Sequence, residues 1–121
     1  MLLPTNGVAV MNASFKFAGY SAVLLFADTL APNLYSSLWP VFFTVLVLTA
    51  VGTIGDLTIL RKFGNLPSLL LGFPGMTFIV WIVPMFWAGT HVSFGSAILV
   101  ALVILPIEYV LHRYVLTSSP Y

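Results

Sequence analysis

Four long apolar runs, separated by three short polar breaks, fill almost the whole chain, and few folds can accommodate that pattern. About 20 helical residues cross a hydrocarbon core of roughly 30 Å. The runs near residues 13–31, 38–60, 66–88 and 92–114 each come close to or exceed that length. The pattern predicts an all-α fold: an integral membrane four-helix bundle, up-down-up-down, making a single transmembrane domain of residues 1–121 with residues 1–12 as a cytoplasmic lead. Charged residues make up only 6% of the chain and apolar ones 60%, against about a quarter charged in soluble domains. So few charges cannot clothe a surface that faces water.

Each break has a physical cause. Proline disfavours the helical region for the residue before it, so Ala31-Pro32-Asn33 ends the first helix. Pro40 and Pro67 fall in the first turns of the second and third helices, where no backbone donor is missed. Gly64-Asn65 makes the turn between those two, and Thr90-His91-Val92-Ser93, after Gly89, opens the fourth helix. Connections this short make sequential helices antiparallel neighbours. The first segment is the least apolar, with Lys16 and Asp28 near its ends. Lys16 and the apolar stretch after it also read as the n- and h-regions of a signal peptide, with Ala27 to Ala31 as a poor cleavage region.

Basic residues set the expected orientation. With the N-terminus inside, Lys16, Arg61, Lys62 and Arg113 all lie on the cytoplasmic side, and the first and third loops contain no Lys or Arg. That one-sided count predicts a fixed N-in, C-in orientation rather than dual topology. Trp39, Trp87 and Tyr35 then lie at the outer interface, with Tyr109 and Tyr114 at the inner one.

Several functions are excluded by what the chain lacks. It has no cysteine, so it has no disulfide, thiolate nucleophile or cysteine-ligated metal. A net charge of +1 gives no footprint for nucleic acid. No nucleophile sits beside a base and no ligand set is complete, so no catalytic residue, metal or cofactor is expected.

The three acids carry what chemistry there is. Ionisable groups inside a membrane are expensive and point to function, with a partner to be named. Asp28 lies near the outer end of its helix, within reach of headgroup water. Asp56 and Glu108 are deeper and share the inner leaflet, about 6 Å and 8 Å from the inner ends of their spans at 1.5 Å per residue. His112 is the i+4 neighbour of Glu108 on one helical face, Arg113 follows it, and Pro106 leaves the Leu102 carbonyl without its usual donor. Such a group can relay protons or hold a cation, since histidine titrates near neutral pH. It can equally be an ion-pair anchor satisfied by Arg61, Lys62 and Arg113. The Glu-x-x-x-His pair is a weak metal signal, since two ligands do not close a site.

Two further patterns are fainter. Asp56 with Arg61 and Glu108 with Arg113 repeat at an offset of 52 residues, as in a parallel hairpin duplication. Gly52 and Gly55, with Thr49, Thr53 and Asp56, give the second helix a small polar strip, and Gly72 and Gly75 flank Pro74 in the third, small residues that let helices approach closely in lipid; the Gly72-Phe73-Pro74-Gly75 run and Pro84 predict a bent third helix.

Gly55-Asp56-Leu57-Thr58-Ile59-Leu60 followed by Gly64-Asn65, with Lys16-Phe17 near the start and Glu108-Tyr109 and His112 near the end, resembles the YndM-like family of small bacterial membrane proteins of unknown function. The resemblance spans residues 16 to 116 and implies four helices without an established activity. Residues 1 to 15 look like an extension to it, and Arg61 stands where a proline is often found. The resemblance marks Asp56, Asn65, Glu108 and His112.

These readings converge on a non-enzymatic protein of the bacterial cytoplasmic membrane. Its expected polar cluster is Asp56, Arg61, Asn65, Glu108, His112 and Arg113, fastening the second helix to the fourth. The main expectation is a structural or interaction role, its partners being the lipid bilayer and either a second copy or a larger membrane complex, with no nucleic acid. The alternative is a small proton- or cation-coupled channel or transporter using Glu108 and His112.

Overall fold

The computed structural model describes residues 6–31 and 34–118, leaving the side chains of residues 6, 61 and 118 outside the description. Among the described residues there are four α-helices: α1 (Asn6–Leu30), α2 (Leu38–Phe63), α3 (Asn65–Ile82) and α4 (Phe94–Ser118). A short 3-10 turn, Val83–Phe86, follows α3, and no strand occurs among the described residues. All four helices are long and apolar enough to cross a membrane, α3 when taken together with its 3-10 turn.

Helix ends fall where capping chemistry allows. The Ser37 side chain accepts a hydrogen bond from the Trp39 amide at 3.3 Å and opens α2, leaving Pro40 in the first turn. Gly64 has φ 87°, a left-handed backbone that disfavours a side chain, and it both ends α2 and opens α3. Pro74 does not break α3, which runs through it. The helical hydrogen bonding tightens at Pro84, the other proline expected to disturb this helix, whose missing donor ends the α-helix in the 3-10 turn.

Two expectations about length change. Residues Asn6 to Asn12 are helical rather than a separate lead, so α1 starts several residues earlier than composition suggested; residues 1–5 of that lead, and Pro32-Asn33 of the first break, lie outside the described residues. α2 reaches Phe63 and α4 reaches Ser118, which puts Asp56 and Glu108 about 10 Å and 15 Å from those helix ends at 1.5 Å per residue, further along the helices than the expected ends at residues 60 and 114.

The helices form a ring. Each packs on the next, α1 closes against α4, and α2 and α4 meet only weakly across the diagonal. The surface is unlike that of a water-soluble protein, with Leu70 77% exposed and Phe86 82%, and the interior holds charge beside its apolar core, with Lys16 0% exposed. In lipid, outward apolar side chains carry no penalty, and helix association rests on packing and polar contacts inside.

One end of the ring is stitched mainly by backbone and hydroxyl groups. The Ser36 amide donates to Thr90 Oγ1 at 2.9 Å, the Thr90 hydroxyl donates to Ser36 Oγ at 2.8 Å, and the His91 amide donates to the Leu34 carbonyl at 2.9 Å. Asp28 serves the same end by accepting the Tyr35 amide at 3.1 Å. Tyr35 itself is buried at 5% exposure. Burial pushes its hydroxyl well above the usual tyrosine range, with the nearby Asp28 charge adding to the effect.

Candidate functional site

At the other end, α1 presents Asn12, Lys16 and Tyr20 at a spacing of four residues, one helical face pointed inward. Gly52 on α2 makes room for them. A Cβ at that position would lie 3.3 Å from Tyr20 Oη and 3.5 Å from Lys16 Nζ. Gly52→Val is accordingly expected to lower stability by about 1–3 kcal/mol through overpacking, measured by unfolding in detergent. Gly55→Ala, where a Cβ meets nothing within 4 Å, serves as the neutral control.

Lys16 Nζ is the hub of the cluster. It lies 2.9 Å and 2.8 Å from the two Glu108 carboxylate oxygens, 3.1 Å from Asp56 Oδ2 and 3.4 Å from Tyr20 Oη. Asn12 Nδ2 donates to Asp56 Oδ2 at 2.7 Å. On the far side of the carboxylates, His112 Nε2 lies 3.2 Å from Asp56 Oδ1 and 3.1 Å from Glu108 Oε2. Its other nitrogen, Nδ1, is 2.9 Å from Asn65 Oδ1. Asn65 Nδ2 donates to the Tyr109 carbonyl at 3.3 Å, which turns its oxygen toward the ring.

Both histidine nitrogens face oxygens, and with the two carboxylates ionised and the Asn65 amide oriented as its bond to Tyr109 requires, an imidazolium donates from both. The quartet then holds two positive and two negative groups: Lys16 and His112 against Asp56 and Glu108. None of the four is more than 5% exposed. In a low-dielectric interior such a balance is what makes burial tolerable, since an isolated ion there carries a penalty of several kcal/mol.

A cavity of about 210 Å³ adjoins the quartet. Asp56, Glu108 and His112 line one part of it, and Gly55 of α2 faces Ser68, Gly72 and Gly75 of α3 across the rest. The glycines were expected to bring helices into close contact. Instead, a Cβ added at Gly55, Gly72 or Gly75 would meet nothing within 4 Å, so these residues hollow the space between α2 and α3. Ser68 Oγ is buried there without a hydrogen-bond partner among the described residues. One ligand atom each from Asp56, Glu108 and His112 lie within 4.8 Å of one another, close enough to surround a single cation.

Four of the six residues expected to cluster do so: Asp56, Asn65, Glu108 and His112. Arg113 is exposed and outside the quartet, and the Arg61 side chain lies outside the described residues. The buried acids are neutralised by Lys16 and His112, and the bridge runs through α1 as well as between α2 and α4. Adjacent helical residues point about 100° apart, so Arg113 cannot share the inward face of His112. Sequence reasoning missed Asn12, Lys16 and Tyr20 as site residues, although their spacing of four was a signal in plain sight.

No curated protein and no solved structure matches the chain significantly. A model of an uncharacterised family matches residues 9–119, a stretch that contains every member of the quartet and extends N-terminally beyond the narrower resemblance that began at residue 16. Residues 9 to 15 are thus part of the shared sequence rather than an extension. On that match the chain belongs to the family described as "Protein of unknown function (DUF2512)".

Proposed function

We propose that this multi-pass protein is a small proton-linked transporter of the bacterial cytoplasmic membrane rather than an enzyme. One observation carries the reading: His112, with acceptors on both ring nitrogens, lines a cavity between α2 and α3. A proton that neutralises a buried cluster beside an open space can be exchanged for something that enters that space. A second reading, an ion-pair anchor in a structural or interaction protein, is favoured by the quartet's joining α1, α2 and α4. In either reading four helices enclose little space, and a second copy or a larger membrane complex completes the functional unit.

The transport reading assumes an up-down-up-down bundle with both termini inside. It is supported by the contacts between residues 34–36 and 90–91 at one end, and by the contact of Asn65 with His112 at the other. Lys62 and Arg113 are exposed near that second end, as residues facing the cytoplasm should be; Lys16, being buried, drops out of the count. Lys62→Cys is expected to react with a membrane-impermeant thiol reagent only after the cytoplasmic face is opened. Labelling of intact cells would reverse the orientation.

Proteoliposomes test the function itself. They are expected to collapse an imposed pH gradient faster than protein-free vesicles when a transportable cation is present on the opposite side. A rate equal to that of protein-free vesicles across a panel of alkali and organic cations would leave the anchor reading standing alone.

A further inference from the structure

The cavity and the quartet together define a ligand. We propose that the space between α2 and α3 binds a small primary ammonium ion with an apolar body, which takes the place of the His112 proton. This rests on the proton-linked reading above and names its substrate class.

Charge balance selects the valence. With Lys16 and the His112 imidazolium opposing Asp56 and Glu108, the site is neutral. Loss of the Nε2 proton leaves one negative charge in excess, and one monovalent cation restores neutrality. A divalent metal would leave one positive charge in excess among side chains that are at most 5% exposed, an expensive outcome in low dielectric. The exchange is balanced: a proton leaves His112 Nε2 for water and an ammonium ion arrives. Nδ1 keeps its proton toward Asn65, and Nε2 becomes an acceptor. The groups facing His112 are Asp56 from α2, Asn65 from α3 and Glu108 from α4, with Lys16 of α1 behind the two carboxylates. An arriving ammonium therefore finds Asp56 Oδ1, Glu108 Oε2 and the freed Nε2, three acceptors for three N–H donors.

The walls select an organic ion over an alkali metal. Hard cations take several oxygen ligands, yet away from the carboxylates the cavity is mostly glycine, Leu48, Met76 and Ile79, with the Tyr20 hydroxyl and the unpartnered Ser68 hydroxyl as its polar additions. A volume of about 210 Å³ suits a ring or short chain. Access is from the side. Val51, Ile59 and Leu71, which also line the cavity, are 51%, 39% and 57% exposed, so it reaches the outer face between α2 and α3. A molecule dissolved in the bilayer could enter there.

Benzylammonium is the probe, added to purified full-length protein in nanodiscs, with heat measured in buffers of different ionisation enthalpy to count protons. Saturable binding with release of one proton per ion is expected, with benzyl alcohol, its neutral counterpart, failing to bind. Gly72→Leu, which fills the cavity from α3, and Gly55→Leu, which fills it from α2, should each weaken binding about tenfold or more, with unfolding transitions used to confirm that at least one variant is folded. Equal binding of benzyl alcohol, binding without proton release, or unchanged affinity in a folded cavity-filled variant would overturn the proposal. Saturable zinc(II) binding that displaces benzylammonium and releases two or more protons would assign the cluster to a metal instead. Proton movement in vesicles driven by alkali ions alone would sink the ammonium site and leave proton-linked transport intact; absence of proton movement with every cation would remove both.

Discussion

Lys16→Met is expected to destabilise the protein by about 3–5 kcal/mol, the cost of removing one partner from a buried charge pair. The ammonium lies within 3.1 Å of both acids and is 0% exposed, so its loss leaves two carboxylates sharing one imidazolium. Methionine preserves the length and most of the volume of the side chain, which isolates charge from packing. Adding Glu108→Leu should recover much of the lost stability, because it restores a balance of one acid against His112; residues in one network do not contribute additively. Unfolding in mixed micelles measures both variants. A single substitution that costs under about 1 kcal/mol, the range of exposed pairs, would mean that water reaches Lys16 and that the quartet is not the sealed group described.

Glu108→Gln should have the largest effect on activity. The amide keeps the shape but removes one negative charge, leaving Lys16 against Asp56 as a balanced pair. A proton on His112 would then be surplus, so the ring becomes neutral and has nothing to exchange. Vesicles carrying this variant are expected to dissipate an imposed pH gradient no faster than protein-free ones, with the bundle still folded by helical circular dichroism. Wild-type rates in the folded variant would remove Glu108 from the proton path.

Much of the architecture was legible because the bilayer leaves so few choices. Runs such as 38–60 and 92–114 come out as α2 and α4 with their ends a few residues further on. The site was only half legible. Glu108 and His112 lie on one helix at i, i+4, and helical geometry alone put them on one face. Their base could not be found the same way. Starting α1 near residue 13 made Lys16 a terminal charge facing water, whereas a start at Asn6 carries it to the interior beside Gly52. Arg113 was chosen for nearness in sequence, which on a helix is not nearness in space. The cavity was also hidden, since glycine signals close packing as readily as empty volume, and only the placement of α3 decides between them.

The clasp formed by Leu34, Ser36, Thr90 and His91 uses backbone and hydroxyl groups. It is therefore indifferent to the charge state that governs the opposite end. The bundle is thus held mainly by backbone and hydroxyl bonds at one pole and by buried ion pairs at the other. On the proposed exchange, loss or gain of charge would loosen or tighten the helices at the charged pole and leave the clasp as it is. A transporter built this way would need no hinge within any single helix to vary access at that pole.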